Sequence, residues 1–208
     1  MKLIFATNNA HKVEEIRAAV GSRFEILSLK EAGIDIDIPE PYDTLEENAT
    51  AKSKTIYQLA LKNLNALGCF SEDTGLEVEA LHGEPGVRSA RYAGDSKNFD
   101  DNINKLLQNL QLHANRKAKF RTVISLQLEN KEYLFEGICE GIILNVRRGG
   151  KGFGYDSIFL PNGAGKTFAE MSIEEKNSYS HRKKAADKLV AFLAGWADLK
   201  NNKQTSEI

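Results

Sequence analysis

A mixed α/β domain is the fold class that this sequence predicts, and three observations carry it. The chain opens on a short apolar run, Leu3 to Ala6, which ends at Thr7-Asn8-Asn9; Val13, Ile16 and Val20 then recur at helical spacing. Two long stretches, from Thr44 and from Ser180, place apolar residues on a 3.6-residue period. Phe120, Thr122, Ile124, Leu126 and Leu128 alternate along one long strand, and Tyr133 to Val146 reads as its return after an Asn130-Lys131 turn. The order is not a regular βαβ repeat, which disfavours a standard doubly wound fold.

The elements follow in order. Strand Leu3–Ala6, a polar loop and a helix over Ala10–Val20 come first, then a short strand at Phe24–Leu27. Thr44-Leu45-Glu46-Glu47 fits a capping box, so a long helix opens there. Leu45, Ala49, Ile56, Leu59, Ala60 and Leu67 form its apolar stripe, and Gly68 is expected to stop it. Cys69-Phe70-Ser71 reads as a strand running into Glu72-Asp73-Thr74-Gly75, with Leu76–Val78 a second short strand. Asn98–Leu110 is helical, Ser157–Leu160 strand-like, and Ser172–Lys176 and Ser180–Trp196 are helical.

Length and charge bound the partners. The 208 residues suit one domain, set here at 1–197, with no repeat or linker; residues 198–208 read as a polar, frayed tail. Lys plus Arg is 28 and Asp plus Glu 29, a net charge of −1, so the basic excess of a protein that grips long nucleic acid is missing. Cys69 and Cys139 sit in strand-like surroundings outside any zinc spacing and read as buried thiols. No long apolar run marks a signal peptide or membrane span, so a cytoplasmic location is expected.

Two cations sit where apolar residues belong. Lys52 follows Ala49 by three and precedes Ile56 by four, inside the stripe of its helix. A lysine there snorkels, meets a buried acid, or faces a cleft that holds an anion. Arg182 lies one turn before Ala185 on the stripe Ala185, Leu189, Phe192, Leu193, Trp196. The run His181-Arg182-Lys183-Lys184 opposes the dipole of the helix it opens, as an anion site would, unless Glu174 and Glu175 neutralise it. Lys183 and Lys184 read as solvated. Thr7 to Lys12, a loop entering a helix, is a third place for phosphate, although it lacks Walker-type glycines. Opposite these stand Glu72 and Asp73, read at a strand end, where adjacent acids point to opposite faces. Glu40 is held between Pro39 and Pro41. Carboxylates without a Cys/His cluster suit a hard cation such as magnesium.

Six stretches together resemble the inosine triphosphate pyrophosphatase family, also called the dITP/XTP pyrophosphatases. They are Thr7-Asn8-Asn9-Ala10-His11-Lys12; Glu47-Asn48-Ala49 with Lys52; Glu72-Asp73-Thr74-Gly75-Leu76; Pro85 to Tyr92; Gly152-Phe153-Gly154-Tyr155-Asp156; and Glu174-Glu175-Lys176 with Ser180-His181-Arg182. The resemblance implies an elongated mixed sheet flanked by helices, two lobes with a substrate cleft between them, and a homodimer. It implies hydrolysis of inosine, deoxyinosine or xanthosine triphosphate to the monophosphate and pyrophosphate. It assigns the triphosphate to Thr7, Asn8, Asn9, Ala10, His11, Lys12 and Lys52, and magnesium to Glu40 and Asp73. Asp73 is further expected to accept a proton from water or to orient a metal-activated one. Thr74 would touch substrate; Phe153, Gly154, Tyr155, Asp156, Lys176, His181 and Arg182 would hold the base, with Arg182 or a protonated His181 donating to its 6-oxo group. The family often has Phe at position 45, Asp at 72, Ser at 74, Pro at 157 and Gly at 8, where this chain has Leu, Glu, Thr, Ser and Asn. Binding without turnover and a pyrimidine-directed pyrophosphatase are rival readings, disfavoured by Glu40 with Asp73 and by the last two stretches respectively.

Overall fold

The computed structural model describes residues 2–63 and 66–205. Strand β1 (Lys2–Phe5) leads into helix α1 (Ala10–Val20), whose cap is Asn9: its Oδ1 accepts the Lys12 amide at 3.2 Å. Strand β2 (Glu25–Ser28) and helix α2 (Leu45–Asn63) follow. Thr44 does start α2, accepting the Glu47 amide at 3.2 Å and donating its hydroxyl to the Glu47 carboxylate at 2.8 Å. Leu45, Ala49 and Ile56 are buried as the stripe requires, while Leu59, at its margin, stays 41% exposed. The Ala60 side chain lies outside the described residues.

Gly68 does not cap α2; it begins strand β3 (Gly68–Val78), where a Cβ would come within 2.7 Å of the Gln127 carbonyl oxygen. This strand is continuous, so Glu72 and Asp73 lie in its middle and not at a strand end. Polar residues interrupt the apolar pattern but not the ladder: strand β5 (Lys117–Leu128) pairs with β3 from Gly68↔Leu128 to Val78↔Ala118. A two-residue strand β4 (Pro85–Gly86) and helix α3 (Phe99–Asn109), capped by Asn98, lie between them. The hairpin turn falls on Glu129 and Asn130, one residue earlier than expected, because both take the positive φ (49° and 62°) that a type I′ turn demands. Strand β6 is Lys131–Ile143, ending short of Val146, and β7 is Phe159–Pro161. Helix α4 (Ile173–Asn177) has the Ser172/Glu175 capping box, and α5 (His181–Thr205) continues well past residue 197. Residues 206–208 of the expected tail lie outside the described residues.

The sheet order is β2-β1-β3-β5-β6-β7, with β4 beside β3. β1 runs parallel to β2 and β3; the remaining pairs are antiparallel. The long β3–β5 ladder joins two apolar clusters. Phe70 and Leu126 belong to the first, with α1 and α5; Leu76 and Phe120 belong to the second, with α3 and the segment around Phe159 and Phe168. Between them the ladder is polar: Ser71, Glu72, Asp73 and Thr74 on β3, with Thr122 and Ser125 on β5, all buried or nearly so. Two lobes and the belt between them are thus written into one pair of strands. α2 covers the opposite face, where Ile56 packs on Cys69 and Ala49 on Val123.

Candidate active site

The polar belt is reachable because β3 has a gap along one edge. β1 pairs with it only through Phe70, and β4 only at Leu76 and Glu77. Among the described residues no strand covers that edge over residues 71–75. β1 also lies between β2 and β3, with α1 packed in the cluster on one face and α2 on the other. The crevice beyond β1 is therefore a switch point, the place where α/β sheets open a site. Side chains from both faces of β3 reach it: one cavity is lined by Asn9, Lys12, Asp73 and Thr74, together with Phe153, Lys176 and Arg182. It continues through Asn9, Lys12 and Glu40 into a mouth lined by Thr7, Asn8 and Lys52.

On the α2 face, Lys52 is no snorkelling lysine. It is 6% exposed, and its ammonium is held by Glu40 and, at 3.3 Å, by Asp73. Burial acts to lower its pKa, but the two carboxylates outweigh that and raise it. Burial, reinforced by the charge of Glu40, holds the Asp73 carboxyl above the ordinary aspartate range despite Lys52 and Lys12. Burial also acts on Glu40, yet Lys52, Lys12 and Arg91 prevail and lower it. Two carboxylates thus converge on one ammonium, one tuned up and the other down.

On the α5 face, Arg182 is 2% exposed. Its Nε and Nη2 donate to Glu72 at 2.7 and 2.8 Å, and its Nη1 to Glu15. The helix-opening cation is neutralised by these two acids, not by Glu174 or Glu175; Glu175 instead caps α4 and pairs with Lys166. Lys176 donates to Glu15 at 2.7 Å and to Asp156 at 2.6 Å. Lys12 completes the set, 3.2 Å from Glu72. Burial would raise Glu72 and Glu15, but Arg182 with Lys12 or Lys176 holds both below the ordinary glutamate range. Asp156 stays raised, chiefly by burial.

Asp156 also accepts the Phe153 amide at 3.0 Å, and Gly152 (φ 73°) passes so close to that carboxylate that a Cβ would overlap it. Phe153 presents its ring to the cavity and stacks on His11, centroids 5.1 Å apart. Gly154 has φ 59° in open space, whereas Tyr155 lines the wall with its hydroxyl donated to the Ser89 carbonyl at 2.9 Å. Thr74 shares a hydroxyl hydrogen bond with Thr122 at 2.6 Å.

His181 is 2% exposed, stacked on Phe120 at 4.7 Å. Burial, then the charges of Arg182 and Lys176, push its pKa well down, so the expected protonated donor is a neutral imidazole. Among the described residues its Nδ1 is the buried side-chain atom without a hydrogen-bond partner, and the residue is part of the cavity wall. In the Thr7–Lys12 loop, the Thr7 hydroxyl accepts the Asn9 amide at 3.2 Å and Asn8 reaches the Ile36 carbonyl at 3.1 Å; Ala10 is the first helical residue. The structure brings the sequence-predicted residues to one cleft except two: Ala10 lines a separate depression beside Val13 and Arg17, and His11 lines a neighbouring pocket shared with Phe153 and Lys176. Three further residues had no role assigned from sequence: Asn48 and Arg91, which lie within matching stretches, and Glu15, which lies outside them. Helical spacing puts Glu15 off the Val13 stripe, and only the cover of α4 and α5 buries it.

A mixed sheet split at a switch point, with paired carboxylates and cations in the gap and an aromatic wall behind, defines an α/β protein with a cleft for an anionic ligand that has a flat ring. The chain belongs to the Ham1 family, whose model matches residues 3–192. A dITP/XTP pyrophosphatase of Flavobacterium johnsoniae is 49% identical over 193 residues, 93% of this chain and 98% of that one. Another, of Christiangramia forsetii, is 49% identical over 194 residues, 93% and 100%. Among solved structures, the Staphylococcus aureus Ham1 protein superposes with a TM-score of 0.81 at 38% identity, covering 94% of this chain and 99% of that one. A HAM1 protein from Coxiella burnetii gives 0.82 at 31%, with the same coverage.

Proposed function

We propose that this chain hydrolyses nucleoside triphosphates carrying abnormal purines, inosine and xanthosine in ribo or deoxy form, to the monophosphate and pyrophosphate. The observation that carries the reading is the convergence of Glu40 and Asp73 on Lys52 at the crevice beyond β1, next to the cavity walled by Phe153. Relatives named dITP/XTP pyrophosphatase along nearly the whole chain support it.

In this reading Thr7 to Lys12 and Lys52 hold the triphosphate at the N-terminus of α1, where free amides and cations favour anions. Water attacks the α-phosphorus; the new P–O bond forms as the bond from that phosphorus to the bridging oxygen breaks. Pyrophosphate leaves with the electron pair, and Asp73, whose carboxyl burial holds above the ordinary aspartate range, takes the water's proton. Glu40 and Asp73 offer hard oxygen donors of the kind magnesium prefers, and the ammonium they now share marks a place built for positive charge. Magnesium held there would offset charge developing on the phosphates. Phe153 stacks on the base, Thr74 lines the floor, and His181 with the Arg182–Lys176 wall faces its 6-oxo edge. The same reading carries a homodimer and a cytoplasmic location, which sedimentation equilibrium and cell fractionation test. No helix among the described residues is long and apolar enough to cross a membrane. Phosphorus NMR of the products from inosine triphosphate tests the reaction: monophosphate with pyrophosphate is expected, and orthophosphate as first product would refute it.

A further inference from the structure

Glu40 stands in a segment with no backbone support of its own. Ile34 donates its amide to Leu29, and the next backbone–backbone hydrogen bond is from Asn48 to Thr44. Over residues 35–43 none, among the described residues, joins the main chain to another main-chain group, and Pro39 and Pro41 have no amide to give. Unpaired polar backbone must find side chains or water.

Side chains supply the support. Asn48, fully buried in the first turns of α2, uses both ends of its amide on Tyr42: Oδ1 accepts the Tyr42 amide and Nδ2 donates to its carbonyl, each at 3.0 Å. Arg91, in the short turn Ser89–Arg91 after β4, donates Nη2 to the Glu40 carbonyl at 2.7 Å, with Nη1 3.8 Å from the Glu40 carboxylate. Its neighbour Tyr92 belongs to the α3 cluster, so this hold comes from an element separate from α2. Asn8 steadies the start of the segment at Ile36.

We propose that Asn48 and Arg91 are positioning residues for Glu40: they fix, from α2 and from the turn after β4, the backbone on which this cleft carboxylate stands. The inference rests on the reading of Glu40 and Asp73 as holders of a divalent cation. Outer partners of such ligands typically govern about 10–100-fold in metal affinity or activity. The experiment measures Mn2+ affinity of the nucleotide-free protein by electron paramagnetic resonance of the free ion. Variants are Arg91→Met, Arg91→Lys and Asn48→Ala, each with a thermal melt and with inosine monophosphate affinity as a control at the other end of the cleft. Arg91→Met is expected to weaken Mn2+ about tenfold while monophosphate affinity stays within about twofold. Arg91→Lys, which keeps the charge without the fork, should recover only part of the loss. Asn48→Ala should repeat the loss if it folds; if it does not, Arg91→Met decides alone. Unchanged Mn2+ affinity in a folded Arg91→Met overturns the proposal, as does equal loss at both ends of the cleft or a wild type with no Mn2+ affinity. Wild-type turnover of inosine triphosphate is scored separately: its absence would sink the substrate reading and leave the Mn2+ result standing.

Discussion

Glu72 and Asp73 are neighbours on one strand, both buried, and their protons are pushed in opposite directions. Glu72 faces α5 and meets a guanidinium through two hydrogen bonds, with Lys12 beside it; these cations overcome the burial that would raise it. Asp73 faces α2 and shares a single ammonium with a second carboxylate, so burial prevails. Strand geometry assigns adjacent residues to opposite faces, and here each face gives its acid a different task. One carboxylate is locked into the frame, and the other lines the cleft with its carboxyl held above the ordinary range.

The contrast breaks most sharply under substitution. Asp73→Asn is expected to cut turnover about 10²–10⁴-fold while melting within a few degrees of wild type, because a raised carboxyl loses little when its charge is removed. Glu72→Gln should do the reverse to the fold: it leaves the buried Arg182 with Glu15 as its one paired carboxylate, a loss approaching the roughly 3–5 kcal/mol of a broken buried pair, or up to about 6–20 °C of melting temperature at the usual slope for this size. Calorimetry with a turnover assay reads both; equal melting losses would end the division of labour.

A smaller effect is expected from Gly137→Ala. Gly137 on β6 lies directly under the first turn of α5, where a Cβ would overlap the His181 carbonyl. Displacing that turn should raise the KM for inosine triphosphate more than it lowers kcat, and steady-state kinetics would show it. Titration sharpens the same comparison. Glu72 and Glu15 are lowered, so their stabilisation is present above the ordinary glutamate pKa and is lost as pH falls through their folded values. Asp73 is raised, so stability declines as pH climbs from its ordinary value to its folded one. Denaturant melts across the acid range should show the first slope flattened in Glu72→Gln and the second absent in Asp73→Asn. Least of all, His181 should stay neutral at mildly acidic pH, seen as an unmoving imidazole resonance in nitrogen NMR.

Much of the cleft could be read from the chain because charges violated a period. Lys52 and Arg182 fall on apolar stripes, and each proves to be a buried cation between two acids. A capping box located the start of α2. β3 was divided in the reading because its middle is polar, and a polar run says nothing of partners that arrive from α2 and α5. Glu15 stayed hidden, and Arg91, although inside a matching stretch, had no role, for a related reason: each matters through a neighbour distant in sequence, and local spacing carries no record of that.

Arg182 reaches Glu15 across 167 residues, and Lys176 reaches it across 161. A ribosome adds about 5–20 residues per second, so Glu15 waits roughly eight to thirty seconds for its counter-charges to be made. During that interval β1 and α1 already exist, but α5, against which α1 packs, does not. What is translated first is therefore among the last to find its partners: the buried charge cluster around Glu15 can close only when the final helix emerges.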